Sequence, residues 1–178
     1  MQHLLAYLLL PAVLLFSGLH TEPDDKVDDA NTRAIIKASY LYNFGTQCDW
    51  PPGSKDKRFQ ITILGNDPVY TELATKYVGK PVGGQTLEVV LCGSAEDIDQ
   101  PHILYVADEA LTDLAEIASL VTDEPVMVVC ESPGALRKGA TVNFVVEDAK
   151  IKFELNTEQA AAKGITLGSN IVHWAIQP

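Results

Sequence analysis

The stretch KIKFELNTEQAAAKG, residues 150–164, joins a predicted strand directly to a predicted helix and decides the fold. Its first half alternates apolar and polar side chains, a period of two that is typical of a half-buried strand. The apolar members are Ile151, Phe153 and Leu155. Residues 141–146 alternate in the same way, and 147–149 separate the two runs, so the pattern predicts an antiparallel hairpin with a short loop.

The second half of this stretch carries the signals that begin and end a helix. Asn156 is predicted to be the N-cap, because its side-chain oxygen can accept from the free N–H groups of the first turn. Gln159 is placed to reach back to the cap, as in a capping box. Gly164 stands where a helix ends with a positive φ. These residues have a sufficient architectural role and need no functional explanation.

The N-terminal part of the 178-residue chain indicates export. Residues 4–16 are apolar throughout, which is too short for a membrane-spanning helix but typical of the core of a secretory signal. We therefore predict a signal peptide over 1–20, an acidic disordered leader over 21–31 and a single domain over 32–178. An uncleaved N-terminal anchor is the alternative to cleavage.

The net charge of −11 narrows the classes of partner. A chain this acidic lacks the cations that displace phosphate counterions, so nucleic acid is not an expected partner. It is also repelled by anionic lipid headgroups. The sequence therefore favours a protein or small-molecule partner over a nucleic acid or a lipid surface.

The three cysteines are Cys48, Cys92 and Cys130. Export would permit a disulfide, but an odd number leaves at least one thiol unpaired. Cys92 and Cys130 each close an apolar run, so we interpret at least two of the three as small buried core residues. Whether any two of them pair stays open from the sequence.

A wide apolar arc over residues 32–48 predicts a mostly buried helix near the start of the domain. Asn31 or Thr32 is predicted to cap it. Pro51 and Pro52 are predicted to end it, since proline lacks a backbone donor and restricts the residue before it.

Strands and helices alternate through the middle of the chain. Strands are predicted at 59–65, 86–92, 102–108 and 125–130. Asp67, followed by proline, is predicted to cap a helix over 69–78, and a second helical face runs from Leu111 to Val121. This order predicts an α/β fold with a mostly parallel, mixed central sheet, helices on both faces and a C-terminal antiparallel hairpin. The apolar strand 102–108 is predicted to be central.

Ligands of open α/β sheets usually bind beyond the carboxyl ends of the strands, where this chain offers Gly65, Ser94 and Ser132. Gly65 lacks the companion glycines of a dinucleotide loop, and neither serine stands in a nucleophile elbow. His102 is predicted to be partly buried and bonded to backbone, and residues 108–109 to begin a helix. We predict no catalytic residue, cofactor or metal. An exported small-molecule binder or enzyme that uses this cleft is the alternative.

The chain resembles the YfiR/HmsC family of periplasmic proteins in five motifs that follow one another over residues 33–176. The first motif is the helix from Lys37 together with the Asp49-Trp50-Pro51 segment that follows it. The second motif is the end of the first predicted strand, and the third is the strand that begins at His102. The last two motifs lie near the C-terminus, from Lys150 onward. The motif residues are Lys37, Ala38, Tyr40 to Phe44, Asp49, Trp50, Pro51, Leu64, Gly65, Asp67, Pro68, His102 to Val106, Lys150, Ile151, Phe153, Leu155, Asn156, Ala160, Ala161, Gly164 and LGSNIV at 167–172.

This resemblance implies a small periplasmic regulator, exported through a signal peptide. Its partner would be a membrane sensor or the periplasmic part of a diguanylate cyclase, repressed by direct contact. The protein would not itself be an integral membrane protein. A homodimer is left open.

The segment near the C-terminus has more apolar side chains than a chain end needs for its own fold, and these side chains are candidate partner contacts. These are Ile165, Leu167, Ile171 and Trp174. The alternative is a last amphipathic helix docked on the sheet. Trp50 is predicted to pack on the start of strand 59–65, with an exposed partner anchor as its alternative. The residues assigned structural roles are Tyr42, Phe44, Trp50, Pro51, Asp67, Asn156 and Gly164.

Overall fold

The computed structural model describes residues 29–54 and 58–176. The strands are β1 (Arg58–Leu64), β2 (Pro81–Val82), β3 (Gln85–Cys92), β4 (Ile103–Val106), β5 (Met127–Cys130), β6 (Val142–Glu147) and β7 (Lys150–Leu155). The helices are α1 (Asp29–Gln47), α2 (Pro68–Lys76), α3 (Leu114–Leu120), α4 (Thr157–Ala162) and α5 (Ser169–Trp174). The predicted signal peptide and residues 21–28 of the predicted leader lie outside the described residues.

The strands form one seven-stranded sheet in the order β2-β3-β1-β4-β5-β6-β7. The four inner pairings, from β3 to β6, are parallel, and the two outer ones are antiparallel. The predicted α/β fold with a mixed sheet and a C-terminal hairpin is confirmed. Strand β4 is the middle strand and all four of its residues are buried, as its apolar sequence predicts.

Each face of the sheet has its own apolar core. Helices α1, α2, α4 and α5 cover one face, where Leu41, Phe44 and Phe153 are buried together. Helix α3 and the 3-10 helix Ala135–Lys138 cover the other face, around Leu104 and Val128. Alternate residues of each strand point to opposite faces, so the inner strands must be apolar on both sides.

The hairpin between β6 and β7 closes through a two-residue turn. Asp148 and Ala149 both have positive φ, at 51° and 58°. Two consecutive left-handed residues are the signature of the type I′ turn, whose twist matches that of the flanking strands. The predicted loop of 147–149 is therefore one residue too long, because Glu147 still pairs with Lys150.

Two local predictions need correction, and one strand was missed. Helix α1 begins at Asp29, so Asn31 and Thr32 lie inside it rather than at its cap. Gln159 does not complete a capping box, since its side-chain Nε2 donates to the Gly139 carbonyl oxygen at 2.7 Å. The short strand β2 was not predicted, because two residues are too few to show an alternating pattern. Asn156 does cap α4, accepting from the Gln159 N–H at 2.9 Å.

Candidate functional site

The carboxyl ends of the central strands carry a polar network that ties α1 to the sheet. Arg33 and Lys37 lie one turn apart on α1, so both reach the same carboxylate, that of Glu131 just beyond β5. The Lys37 ammonium lies 2.7 Å from this carboxylate and Arg33 also bonds it. The network joins residues far apart in sequence and links α1 to the end of β5.

The network continues from Lys37 to the start of α2. The Lys37 ammonium donates to the Tyr105 hydroxyl at 3.2 Å, and this hydroxyl donates to Asp67 at 3.4 Å. The other oxygen of Asp67 accepts from the Val69 N–H at 2.8 Å and caps α2, as the sequence predicts. Burial, followed by the charges of Asp67 and Glu131, raises the pKa of Tyr105 far above its ordinary value, so the hydroxyl stays protonated.

The turn after β1 is filled by a side chain of the chain itself. Gly65 has a φ of 92°, and the carboxylate of Glu109 accepts from the Asn66 N–H next to it. A Cβ at position 65 would lie 3.1 Å from Glu109 Cγ and 3.2 Å from Ala107 Cβ. The turn thus presents an acidic side chain where a phosphate loop would present free backbone N–H groups.

Both cations of this network act on the pKa of Glu131. Burial raises its pKa, but hydrogen bonds and charges from Lys37 and Arg33 outweigh burial and hold the pKa below its ordinary value of 4.5. The carboxylate is therefore ionised at neutral pH.

Replacing Glu131 by glutamine is expected to lower the free energy of unfolding at neutral pH by about 1–3 kcal/mol, because the buried Lys37 ammonium loses its counter-charge. Since the folded pKa is depressed, the contribution of Glu131 is present above pH 4.5 and is lost as the pH falls through the folded pKa. The difference between the wild type and Glu131→Gln in urea unfolding should therefore shrink as the pH drops below 4.5.

Glu147→Gln is the matched control for this experiment. It removes the exposed hairpin ion pair with Lys152, and solvent-exposed ion pairs contribute little to stability. A loss in Glu131→Gln that stayed the same size far below pH 4.5 would contradict the ion-pair explanation.

The two strand-end serines are not brought together. Ser94 follows β3 and Ser132 follows β5, and β1 and β4 lie between these strands. The Ser94 hydroxyl donates to Glu96 at 3.0 Å and Asp97 at 3.1 Å, whereas the Ser132 N–H donates to Asn143 at 2.9 Å. Each serine is held by its own surroundings, and the pair does not form a shared cleft.

His102 and the acidic pair after β4 also have structural roles. His102 is buried, and its Nδ1 accepts from the Gln60 N–H at 3.1 Å while Nε2 lies 2.6 Å from the Ser54 carbonyl oxygen. This places the Nε2 proton toward Ser54 and leaves the ring bonded to backbone on both sides, as predicted. A 3-10 helix begins at Asp108, which confirms a helix start there.

All three cysteines are buried free thiols. Burial raises the pKa of Cys48, Cys92 and Cys130, the last to about 12. Cys48 lies in the core that contains α1, whereas Cys92 and Cys130 lie in the core on the opposite face. The interpretation of small buried residues therefore holds for all three.

The C-terminal candidates for partner binding divide into two groups. Ile165 and Ile171 are buried in the core beneath α1, so the docked-helix alternative applies to them and they offer no surface. Leu167 is half-buried. Trp174, at the end of α5, is 45% exposed and Val172 is exposed as well. The largest apolar exposure in the segment is therefore at this end, at Val172 and Trp174.

A groove lies beside this apolar end. It has a volume of about 760 Å³ and runs between the 3-10 helix Ala135–Lys138, the start of α4 and the end of α5. Its apolar lining is Leu136, Leu155, Val172, Ala175 and Ile176, and its charged residues are Arg137, Glu154 and Glu158. The Ile176 N–H donates to the Phe153 carbonyl at 2.9 Å, which fixes the chain along the outer edge of β7.

The residues that the sequence assigned to structural roles make contacts within the domain. Trp50 is 5% exposed, and its ring centroid lies 4.9 Å from that of Phe59 in an edge-to-face contact. It therefore packs on the start of β1 and is not an exposed anchor. Tyr42 stacks on Tyr77 at 4.6 Å, and Phe44 is buried. Gly164 has a φ of 69°, and a Cβ there would lie 3.0 Å from Pro51.

A sequence model of proteins described as YfiR/HmsC-like matches residues 34–175. The chain belongs to the YfiR/HmsC-like family. Among curated proteins no significant match to the chain was found. In the part of the chain that the structure describes, no helix is long and apolar enough to cross a membrane. Membership of the YfiR/HmsC-like family is consistent with a periplasmic regulator of cyclic-di-GMP signalling.

Sequence reasoning missed Arg33 and Glu131, which form one of the two ion pairs between α1 and the end of β5. A signal was present: two cations four residues apart on a helix whose arc is otherwise widely apolar indicate a buried counter-charge. The position of that counter-charge, after β5, depends on tertiary structure and could not be derived from the pattern.

Proposed function

We propose that this YfiR/HmsC-like protein is an exported, non-enzymatic regulator that binds and represses a membrane signalling protein, the periplasmic part of a diguanylate cyclase. The contrast between the polar network at the strand ends and the exposed end of α5 carries this proposal. The polar groups at the strand ends bond to one another, whereas Trp174 and Val172 are exposed beside a groove with apolar and charged lining residues. Large exposed aromatic side chains are frequent anchors of protein interfaces.

Trp174 is the residue on which the proposal depends most. Trp174 exposes apolar surface at the end of α5, and Val172 and Leu136 line the groove beside that end, so a partner that docks here buries apolar surface of both. Arg137 and Glu158 at the rim of the groove can orient a partner through charge. We therefore expect the repressed enzyme to insert an apolar side chain between α5 and the 3-10 helix Ala135–Lys138.

Deleting the gene in the native host is expected to raise the cyclic-di-GMP level when the cyclase is expressed, because repression is lost. Wild-type protein should restore the low level, and Trp174→Ala should not. The unfolding midpoint of Trp174→Ala should stay near that of the wild type, since the side chain is largely outside the core.

Leu120→Ala is the matched control, because Leu120 is 55% exposed on α3, on the opposite face of the sheet. It should restore repression fully. An unchanged cyclic-di-GMP level after deletion, with the cyclase present, would reject the proposed function. Full repression by Trp174→Ala would reject the surface while leaving the function standing.

A further inference from the structure

The outer edge of β3 is open over its second half. The short strand β2 covers only its beginning, and Leu87 exchanges hydrogen bonds with Gly79 and Lys80 at 2.9 Å. Backbone groups point alternately to the two sides of a strand, so Val89 and Leu91 turn their N–H and C=O groups outward as Leu87 does. Within the part of the chain that the structure describes, no strand pairs with the outer side of these two residues.

The side chains along this open edge are apolar. Val89 is half-buried against the core beneath α1 and α2, and Leu91, on the same face of the strand, is 47% exposed. Val90 is half-buried against the core on the other face. Natural proteins shield sheet edges with charges, prolines or covering segments, and an open apolar edge is a template for another strand. An added strand would satisfy the outward backbone groups and cover Leu91.

Charge at the end of this edge determines the chemistry of a strand that fits it. After Cys92 the chain leaves the sheet through residues 93–99, where Glu96, Asp97 and Asp99 are exposed. This segment, called here the acidic turn, contains no Lys or Arg, and the whole chain has a net charge of −11. A segment with positive charge is therefore attracted to this edge, whereas an acidic one is repelled.

We propose that the β3 edge binds an extended segment of another protein, added antiparallel to β3, with basic residues at its N-terminal side. The direction is that of β2, which runs antiparallel to β3 along the same edge. Two residues of the segment lie opposite Val89 and Leu91, and each pair exchanges both of its N–H···O bonds. The side chains of these two residues lie on the face of Leu91 and are apolar, and the basic residues that precede them lie beside the acidic turn.

The open edge accommodates a short strand and lies apart from the contact proposed above. Leu87 is already bonded, which ends the added strand on one side, and the chain leaves the sheet after Cys92 on the other. The pairing therefore uses residues 88–92. In the strand order β3 is near one edge of the sheet, whereas β7 and the groove beside it are at the other, so the two surfaces are separate.

The test selects random decapeptides displayed on phage against the purified protein. Enriched peptides should carry two apolar residues separated by one position, with Lys or Arg before them. In a synthetic copy of the best peptide, methylating the backbone nitrogen of either apolar residue should weaken binding about tenfold, the effect of one lost hydrogen bond. Methylating the nitrogen of the residue between them is the matched control and should change binding little, because that N–H points away from β3.

Variants of the protein locate the binding site of the same peptide. Leu91→Lys should weaken binding about tenfold or more, because the new charge repels the basic residues and the apolar contact is lost. Leu120→Lys adds the same charge at an exposed position on α3, away from this edge, and should bind like the wild type. Trp174→Ala should also bind like the wild type, which distinguishes this surface from the proposed contact with the cyclase.

Amide hydrogen exchange measures the occupancy of the edge directly. The N–H groups of Val89 and Leu91 should exchange quickly in the protein alone and slowly when the peptide is bound. Slow exchange in the protein alone that the peptide does not change would place a second copy of the chain on this edge and overturn the proposal. Selection without an apolar and basic pattern, or binding that Trp174→Ala abolishes and Leu91→Lys leaves intact, overturns it as well.

Discussion

Replacing Trp50 by alanine is expected to lower the free energy of unfolding by about 3–5 kcal/mol, the range for truncating a large buried aromatic residue. The side chain is almost fully buried and packs edge to face on Phe59, and its ring lies 5.9 Å from that of His102. Removing it would leave a cavity between the end of α1 and the start of β1. Urea unfolding of the wild type and the variant measures the loss.

Trp50→Phe separates packing from polarity in this experiment. The indole Nε1 is buried and has no hydrogen-bond acceptor among the residues that the structure describes. Phenylalanine keeps part of the aromatic contact and removes this unsatisfied donor, so its loss of stability should be clearly smaller than that of alanine. Equal losses in both variants would show that the contact with Phe59 contributes little. An unchanged midpoint in Trp50→Ala would contradict the burial argument itself.

The sequence predicted best those features that depend on neighbours in the chain. Asp67 and Asn156 cap their helices, and Gly164 ends one with a positive φ, because each interaction spans only two or three residues. Alternation predicted the hairpin for the same reason, since one buried face specifies the register of both strands. The fold class follows from the order of these local elements.

Long-range contacts limited the remaining predictions. Gln159 was expected at its own helix cap but bonds Gly139, twenty residues away, because α4 packs beside the turn before β6. The strand-end network joins Lys37, Tyr105 and Glu131, which come from three separate elements. A charged residue on a buried helix face indicates that it needs a counter-charge. Which residue supplies that counter-charge depends on the tertiary packing.

The C-terminal segment shows the same limit at the candidate site. Its apolar residues are more numerous than a chain end needs, and this predicted a surface or a docked helix without deciding between them. Ile171 points into the core and Trp174 points away from it, although both belong to the same six-residue helix. A helix this short gives too few turns for its apolar face to be read from periodicity.

Replacing Gly168 by alanine is expected to cost about 3 kcal/mol of unfolding free energy, the upper end of the range for overpacking. Gly168 has an ordinary φ of −65°, so the expected strain is steric rather than conformational. A Cβ there would overlap the carbonyl oxygen of Gln47 and lie 3.1 Å from its carbonyl carbon. Backbone at the end of α1 cannot move aside as a flexible side chain can, so the segment that leads into α5 would have to shift.

Gly53→Ala is the control for Gly168→Ala, because no atom of the described residues lies within 4 Å of the Cβ it would add and its φ is not positive. Urea unfolding should show a large loss at 168 and a small one at 53, and equal midpoints would contradict the close approach to Gln47. The shift also has a functional consequence, since Gly168 directly precedes the helix that carries Trp174. If the exposed tryptophan is the contact with the repressed enzyme, Gly168→Ala should weaken repression even at temperatures where the variant remains folded, whereas Gly53→Ala should repress like the wild type.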